Sequence, residues 1–291
     1  MNEAALIRAI ALWSASTPGG DLVEGIGDDC AILRPRRNED LLLTTDLVVE
    51  DVHFRRDTHP PAAIGWKCLA RGISDIAAMG GEPRFALFSL VLPHWFGTAQ
   101  LRGFYRGARE LAGGLDVRII GGDVTRGGKL VCDVVVIGSV PRGRALRRSG
   151  AKAGDGIYVS GPLGAAAASN WKTKAQPRIG LGVELRRRHR ASACMDLSDG
   201  LSTDLPRMML ASGVAAELRS GSIPLAKGAS LEQALHGGED YELLFTLPPT
   251  ARRDPESGFT LIGFVLDGPP GRVRLDGETL KPGGWDPFRR R

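Results

Sequence analysis

The first 140 residues alternate between segments with helical spacing of apolar residues and short apolar runs typical of strands. This alternation constrains the fold more than any other feature of the sequence. Helices are predicted at 3–15, 62–79 and 98–112, and strands at 41–49, 85–92, 117–120 and 130–140. Strands and helices in this order indicate an α/β class, with α+β character because some of the strand pairing is expected to be antiparallel. The segment GGDVTRGG is predicted to be the loop between the last two strands.

A domain boundary is predicted in the basic, Gly-rich stretch Arg142–Gly156, which has almost no apolar periodicity. The predicted domains are therefore 1–142 and 143–291. The second is also α/β, and its predicted elements are strands at 157–160, 241–246 and 259–265, helices at 163–170 and 201–211, and a loop at 171–180.

Cysteine spacing and hydropathy exclude several classes of protein. The four cysteines, at 30, 68, 132 and 194, form no CxxC pair, which argues against a zinc knuckle or a redox dithiol. They are predicted to be reduced, buried thiols of a cytoplasmic protein. No apolar run is long enough to cross a bilayer, so no membrane partner is expected.

The charge balance leaves two interpretations open. The chain carries 38 Lys and Arg against 33 Asp and Glu, a net charge of +5. Such a balance is compatible with a polyanionic partner, as in a basic RNA-binding protein, or with solvated arginines that have no specific role. Few aromatic residues lie among the Arg clusters to stack on bases, which favours the second interpretation.

Acidic residues recur in short motifs with Gly, Ser or Thr, as in Gly27-Asp28-Asp29, Ser74-Asp75 and Asp196-Leu197-Ser198-Asp199-Gly200. Any one of these could be a turn or a helix cap. Thr44-Thr45-Asp46 is the sharpest case, because polar groups inside an apolar strand cost free energy unless they are bonded or ligate a metal. Several converging carboxylates would suit Mg²⁺, which prefers oxygen ligands.

A second set of residues could contact phosphate or a substrate. Gly121-Gly122 follows an apolar strand and lets backbone N–H groups approach phosphate oxygens, although it matches neither a P-loop nor a dinucleotide fingerprint. Arg148 could pair with phosphate or be an ordinary surface arginine. His53 lies seven residues after Asp46. It could contact a substrate, or it could have only a structural role.

These motifs resemble, in order and over most of residues 20–265, the thiamine-monophosphate kinase family. The matching segments include GIGDDCAIL, TTDLVVEDVHF, IIGGDVTRGG, DLSDGLSTDL and GGEDYELLFT. The resemblance implies a two-domain fold like that of aminoimidazole ribonucleotide synthetase. In that fold the N-terminal mixed sheet with helices pairs in a homodimer, binds ATP and Mg²⁺, and the C-terminal α/β domain completes the active site.

The resemblance also implies the reaction and the residues that perform it. ATP would phosphorylate thiamine monophosphate to thiamine diphosphate by direct in-line transfer, with no nucleic acid involved. The implied Mg²⁺ ligands, for several ions, are Asp29, Thr44, Thr45, Asp46, Asp75, Asp123, Asp196 and Asp199; of these Asp46, Asp75, Asp123 and Asp199 are expected to be catalytic. The implied ATP contacts are Gly122, Asp123, Arg148 and Ser198, and the implied thiamine phosphate contacts are His53, Glu239 and Trp285.

The sequence departs from the family between residues 165 and 195, where many members are longer, and it matches loosely over 266–284. The first departure leaves open how the second domain packs, and the second makes Trp285 the weakest assignment. Another ATP-using enzyme of the same superfamily, with a different acceptor, remains an alternative.

Overall fold

The computed structural model describes residues 3–14, 18–26, 30–251 and 258–288. The chain forms two units, Met1–Ile76 with Glu82–Gly143, and Ala77–Gly81 with Arg144–Arg291. The helices are α1 Glu3–Ser14, α2 Pro61–Ala78, α3 Thr98–Gly114, α4 Ala165–Ala168, α5 Ile179–Glu184, α6 Leu201–Ser212 and α7 Leu231–His236, with a π-helical turn at Leu185–His189 and a 3₁₀ turn at Ser220–Ser222. The strands are β1 Leu22–Glu24, β2 Ile32–Leu33, β3 Glu39–Val49, β4 Glu82–Leu92, β5 Arg118–Arg126, β6 Val131–Pro141, β7 Gly156–Val159, β8 Ala193–Asp196, β9 Ala215–Leu218, β10 Leu243–Leu247, β11 Thr260–Leu266, β12 Val273–Leu275 and β13 Glu278–Thr279.

The first unit contains a mixed four-stranded sheet in the order β3-β6-β4-β5. β6 is antiparallel to both β3 and β4, whereas β4 and β5 are parallel. Residues of β4 such as Phe88 pack with Phe104 of α3, and both side chains are fully buried. On β3, by contrast, Leu41, Leu43 and Leu47 are about half exposed. The sheet therefore has one apolar face in the core and one apolar face toward solvent.

The helices and strands predicted for the first unit are confirmed, with one difference at β5. This strand continues through Gly121-Gly122-Asp123 to Arg126 instead of ending in a loop, because the glycine pair stays in register with Leu87 and Phe88. Gly122 has φ +147°, and a Cβ there would overlap the Phe88 carbonyl oxygen. Only glycine allows the two backbones to approach this closely.

The second unit is built on a seven-stranded sheet in the order β13-β12-β9-β11-β7-β10-β8. β10 is antiparallel to β7 and to β8, so those two strands run parallel to each other. The carboxyl ends of β7 and β8 and the start of β10 consequently lie at the same edge of the sheet. The loops 160–164, 197–200 and 237–242 meet there.

The strands and the helix predicted at 157–160, 201–211, 241–246 and 259–265 are confirmed, but the Ala-rich helix is shorter than predicted. It spans only Ala165–Ala168, because the chain turns at Asn170 and Trp171, which both have positive φ angles. The loop predicted at 171–180 gives way to α5 at Ile179.

Three of the four cysteines are buried as predicted, and Cys30 is exposed; none forms a disulfide. Within the described ranges, no helix is both long and apolar enough to span a membrane.

Candidate active site

A polar group lies between β3 and α2 in the first unit. Thr44 and Asp46 alternate with outward-facing residues of β3, and α2 supplies Asp75, whose carboxylate accepts a hydrogen bond from the Thr44 hydroxyl. Arg71, one turn earlier on α2, places its Nη2 atom 3.2 Å from Asp46 Oδ1. Gly72 lets α2 pack closely on the sheet, since a Cβ on it would lie 2.6 Å from Cγ2 of Val136 on β6. The structure thus brings together three of the predicted metal ligands.

The electrostatics of this group favour a bound cation. Burial raises the pKa of Asp46 above its ordinary value, Arg71 counteracts this, and the neighbouring Asp75 and Asp133 raise it further. The Arg71 guanidinium therefore offsets the burial of the Asp46 carboxylate only in part. Their oxygens, with the Thr44 hydroxyl, are the donor types that Mg²⁺ prefers.

Thr45 does not join this group through its side chain. Successive side chains of a strand point to opposite faces, and the Thr45 hydroxyl donates to Asp133 Oδ1 at 2.5 Å on the other face of the sheet. The Thr45 hydroxyl therefore does not face the group formed by Thr44, Asp46 and Asp75.

His53 lies just after β3 and is held as a neutral imidazole. Its pKa is lowered to about 4 by burial, and then by the positive charges of Arg71 and Lys67. The backbone N–H of Val49 donates to His53 Nδ1 at 3.1 Å, and Lys67 Nζ donates to the His53 carbonyl at 2.7 Å. Because Nδ1 accepts a hydrogen bond, the proton of the neutral ring resides on Nε2, which makes that atom a donor.

The other sites predicted in the first unit are placed less closely. Asp123 is exposed on β5 in register with Ser89, and its carboxylate accepts from the backbone N–H of Val124 at 2.8 Å. Gly122 precedes it, at the point where the backbones of β5 and β4 approach each other closely at Phe88. Asp29 lies outside the described residues.

In the second unit, the loop after β8 carries Ser198 and Asp199 and is held by α6. The carboxylate of Asp204 accepts the backbone N–H groups of Ser198, Asp199 and Gly200 at 3.1, 2.9 and 3.1 Å. Arg207, one turn further, pairs with both Asp199 and Asp204. Burial is the main cause that raises the pKa of Asp204 to about 6.

Two further segments dock on this loop. The backbone N–H of Glu239 donates to the Ser198 carbonyl at 2.8 Å, and that of Trp285 donates to the Asp199 carbonyl at 2.9 Å. Gly284 donates to Thr203 Oγ1 at 3.2 Å, which fixes the C-terminal segment on the first turn of α6. Ser198, Asp199, Glu239 and Trp285, predicted from three separate parts of the sequence, therefore converge at one edge of the sheet.

Asp196 and Arg148 are the other two site residues predicted in the second unit. Asp196 ends β8 and is buried. Arg148 is exposed, and its carbonyl accepts from the Ser212 hydroxyl at the far end of α6, 3.2 Å away. The 12 residues of α6 rise about 1.5 Å each, so the backbone of Arg148 lies roughly 18 Å from the Ser198 loop at the other end of the helix. The structure does not bring Arg148 to that loop.

Among the described residues, no three His, Cys, Asp or Glu side chains lie close enough together to hold one metal ion. Among the predicted ligands, Asp46 lies near Asp75 in the first unit, and Asp199 lies near the carboxylate of Asp204 in the second.

Comparison with known proteins assigns the chain to a family. Residues 27–140 match the AIR synthase related protein N-terminal domain. The thiamine-monophosphate kinase of Salmonella typhimurium is 39% identical over 295 residues, which cover 86% of this chain and 89% of the relative. The chain belongs to the thiamine-monophosphate kinase family.

Solved structures of the family have the same fold. A thiamine-monophosphate kinase from Stenotrophomonas maltophilia K279a is 36% identical, with a TM-score of 0.80 and coverage of 94% of this chain and 95% of that chain. AaThiL, in complex with AMPPCP and TMP, is 33% identical, with a TM-score of 0.80 and coverage of 98% and 97%. The predicted two-domain α/β fold, like that of AIR synthase, is confirmed.

Sequence reasoning missed the residues that orient the site, chiefly Arg71, Asp204 and Arg207. A weak signal was present for each. Arg71 precedes Asp75 by one helical turn, and Asp204 and Arg207 are three residues apart at the start of a predicted helix. Spacing alone does not show which of these side chains face the site.

Proposed function

We propose that the protein transfers the γ-phosphoryl group of ATP to thiamine monophosphate, which yields ADP and thiamine diphosphate. The observation that carries the proposal is the convergence of Ser198, Asp199, Glu239 and Trp285 through backbone hydrogen bonds. In the family these positions correspond to nucleotide, metal and acceptor contacts. A relative with the same fold, AaThiL, binds AMPPCP and TMP.

The transfer needs no nucleophilic side chain. An oxygen of the acceptor phosphate attacks the γ-phosphorus, a new P–O bond forms, and the bond from that phosphorus to the β,γ-bridging oxygen breaks as ADP leaves. The attacking oxygen is already ionised at neutral pH, so no general base is required. Catalysis then depends on positioning and on charge neutralisation. The polar residues of both units are suited to this task.

Mg²⁺ is the metal that fits the residues present. Thr44, Asp46 and Asp75 offer oxygen donors, and Arg71 offsets the burial of the Asp46 carboxylate only in part. By family position, Asp29 and Asp123 of the first unit and Asp196 and Asp199 of the second are further candidate ligands, whereas the Thr45 hydroxyl faces away from this group. When bound, Mg²⁺ neutralises charge on the phosphate oxygens.

Three residues are assigned to the acceptor. His53 is neutral and donates from Nε2 to a phosphate oxygen, close to the positive charges of Lys67 and Arg71. Trp285, half-buried beside Asp199, offers an aromatic face to the cationic thiazolium ring. Glu239 lies on the neighbouring loop and supplies an acceptor for the donor groups of thiamine. ATP is assigned to Gly122, Asp123, Arg148 and Ser198.

The solvent-facing apolar residues of β3 support a homodimer. Leu41, Leu43 and Leu47 are 49%, 66% and 52% exposed on one face of the sheet. A second copy of this face would remove these side chains from water, which stabilises the pair by about 25 cal/mol per Å² of apolar area buried.

A cytoplasmic location suits the four unpaired cysteines and the supply of ATP. No nucleic acid is part of the reaction.

A coupled assay of ADP release tests the proposal, with thiamine monophosphate as acceptor and free thiamine as the matched control. Turnover is expected with thiamine monophosphate and not with free thiamine. Mass spectrometry should identify the product as thiamine diphosphate. ATP consumption that requires neither compound, or that requires another acceptor, would refute the assignment.

A further inference from the structure

The first turn of α6 carries a carboxylate with no access to solvent. Asp204 has no exposed surface, and both of its carboxylate oxygens accept hydrogen bonds within the protein. Oδ2 accepts three backbone N–H groups, from residues 198, 199 and 200, and Oδ1 accepts from Arg207 Nη1 at 3.0 Å. A buried carboxylate is tolerated only when it is bonded in this way.

These bonds use the backbone of the loop that carries Ser198 and Asp199. The N–H groups of both residues point to Asp204, and their carbonyls accept from Glu239 and Trp285. The loop therefore meets a ligand through the Ser198 hydroxyl and the Asp199 carboxylate. Because the same backbone binds Asp204 on one side and the Glu239 and Trp285 segments on the other, the position of Asp204 affects the position of both segments.

We propose that Asp204 is a positioning residue, which fixes the Ser198–Gly200 loop and, through it, the Glu239 and Trp285 segments. The inference deepens the proposed function and rests on it for the roles of Ser198 and Trp285. Asp204 contacts backbone groups and Arg207, and it acts on the substrates only through the loop. Displacement of the loop would disturb nucleotide and acceptor contacts together.

A purely structural role is the competing explanation, and Asp155 provides the matched control. Asp155 is also a buried carboxylate of the second unit; it accepts the Lys152 N–H at 3.0 Å and the Ser192 hydroxyl at 2.6 Å. It immediately precedes β7, at the opposite end of the sheet from the Ser198 loop. Asp155→Asn should lower the melting temperature without changing the kinetics.

The test compares Asp204→Asn with Asp155→Asn in the full-length enzyme. Amide hydrogen exchange, followed by mass spectrometry without substrates, should become faster at 197–201 and at 283–287 only in Asp204→Asn. The KM values for ATP and for thiamine monophosphate should both rise about 10-fold, equivalent to about 1.4 kcal/mol each. Faster exchange with both KM values within twofold of wild type would overturn the proposal, as would equal kinetic losses in the two variants.

Arg207→Gln covers the case in which Asp204→Asn does not fold. Arg207 is half exposed, so the fold should tolerate its replacement. The substitution removes the ion pairs of Arg207 with Asp204 and Asp199 but leaves the backbone hydrogen bonds of Asp204 in place. The same pattern of exchange and KM changes, reduced in size, is expected. Wild-type exchange and kinetics in Arg207→Gln would then overturn the proposal. A wild-type enzyme without activity on thiamine monophosphate would refute the proposed function alone, because the exchange data stand independently of turnover.

Discussion

Replacement of Gly284 by alanine should weaken acceptor binding by displacing the segment that carries Trp285. A Cβ at position 284 would overlap the Asp199 carbonyl oxygen and would lie 2.7 Å from Thr203 Oγ1 and 3.0 Å from the Asp199 carbonyl carbon. Most of these obstacles are backbone atoms, which cannot rotate away. The segment must therefore move outward by about 1 Å or more to reach ordinary van der Waals distances.

This displacement breaks two hydrogen bonds, from the Trp285 N–H to the Asp199 carbonyl and from the Gly284 N–H to Thr203 Oγ1. At about 0.5–1.5 kcal/mol net for each bond, the anchoring lost is about 1–3 kcal/mol. If the segment must be re-anchored when the acceptor binds, the KM for thiamine monophosphate rises about 5- to 150-fold.

The assay is steady-state kinetics with each substrate varied in turn. Gly221→Ala is the matched control, because a Cβ there meets nothing within 4 Å. Its KM values should stay at wild-type levels, and kcat should remain measurable in both variants. A wild-type KM for thiamine monophosphate in Gly284→Ala, together with faster amide exchange at 283–287, would refute the reasoning, since the segment would have moved without consequence.

Four further changes test individual residues. Asp46→Asn keeps the shape but removes a charge from the proposed metal group, so kcat should fall at least about 100-fold while the melting temperature barely changes; near-normal turnover at saturating Mg²⁺ would exclude the metal role. Arg148→Ala should raise the KM for ATP well above any change in the KM for thiamine monophosphate, and equal effects on both would indicate a role in packing. Trp285→Ala should raise the acceptor KM about 2- to 30-fold through loss of a cation–π contact, and Trp285→Phe should restore part of it; a lower melting temperature with an unchanged KM would show that the ring only anchors the C-terminal segment. The pKa of His53 is about 4 in the folded protein and 6.5 ordinarily. Between these values the unfolded chain binds more protons, so the free energy of unfolding should fall as pH drops through this range, by about 1–2 kcal/mol after allowance for the partial exposure of the ring. Urea titrations should show this slope in the wild type and a shallower one in His53→Gln.

Apolar periodicity predicted most of the elements that position the site. The strands at 41–49 and 85–92 and the helix at 62–79 follow from local patterns, because each buries one face against its neighbours. The continuation of β5 through Gly121-Gly122 was not predictable in this way. It depends on pairing with β4, whereas a glycine pair by itself indicates a turn.

The candidate site was predictable in its residue types but not in its connections. The alternation of Thr44, Thr45 and Asp46 was available from the period of a strand, and it separates Thr45 from the other two side chains. The role of Asp204 was not available, since it depends on three backbone N–H groups that converge only when α6 has formed. The docking of Gly284 and Trp285 joins residues more than 80 positions apart, and no local pattern encodes it.

The two faces of β3 also determine how this strand can evolve. One face presents Thr44 and Asp46 to α2, and the other presents Leu43 and Leu47 to solvent, over a continuous pairing of 11 residues with β6. A single inserted or deleted residue within the strand would slip the register and exchange the two sets of side chains. The carboxylate would turn outward and leucines would fill the polar group. The proposed metal ligands and the proposed dimer surface thus occupy alternate positions of one short strand, and selection on either set constrains the length of the strand.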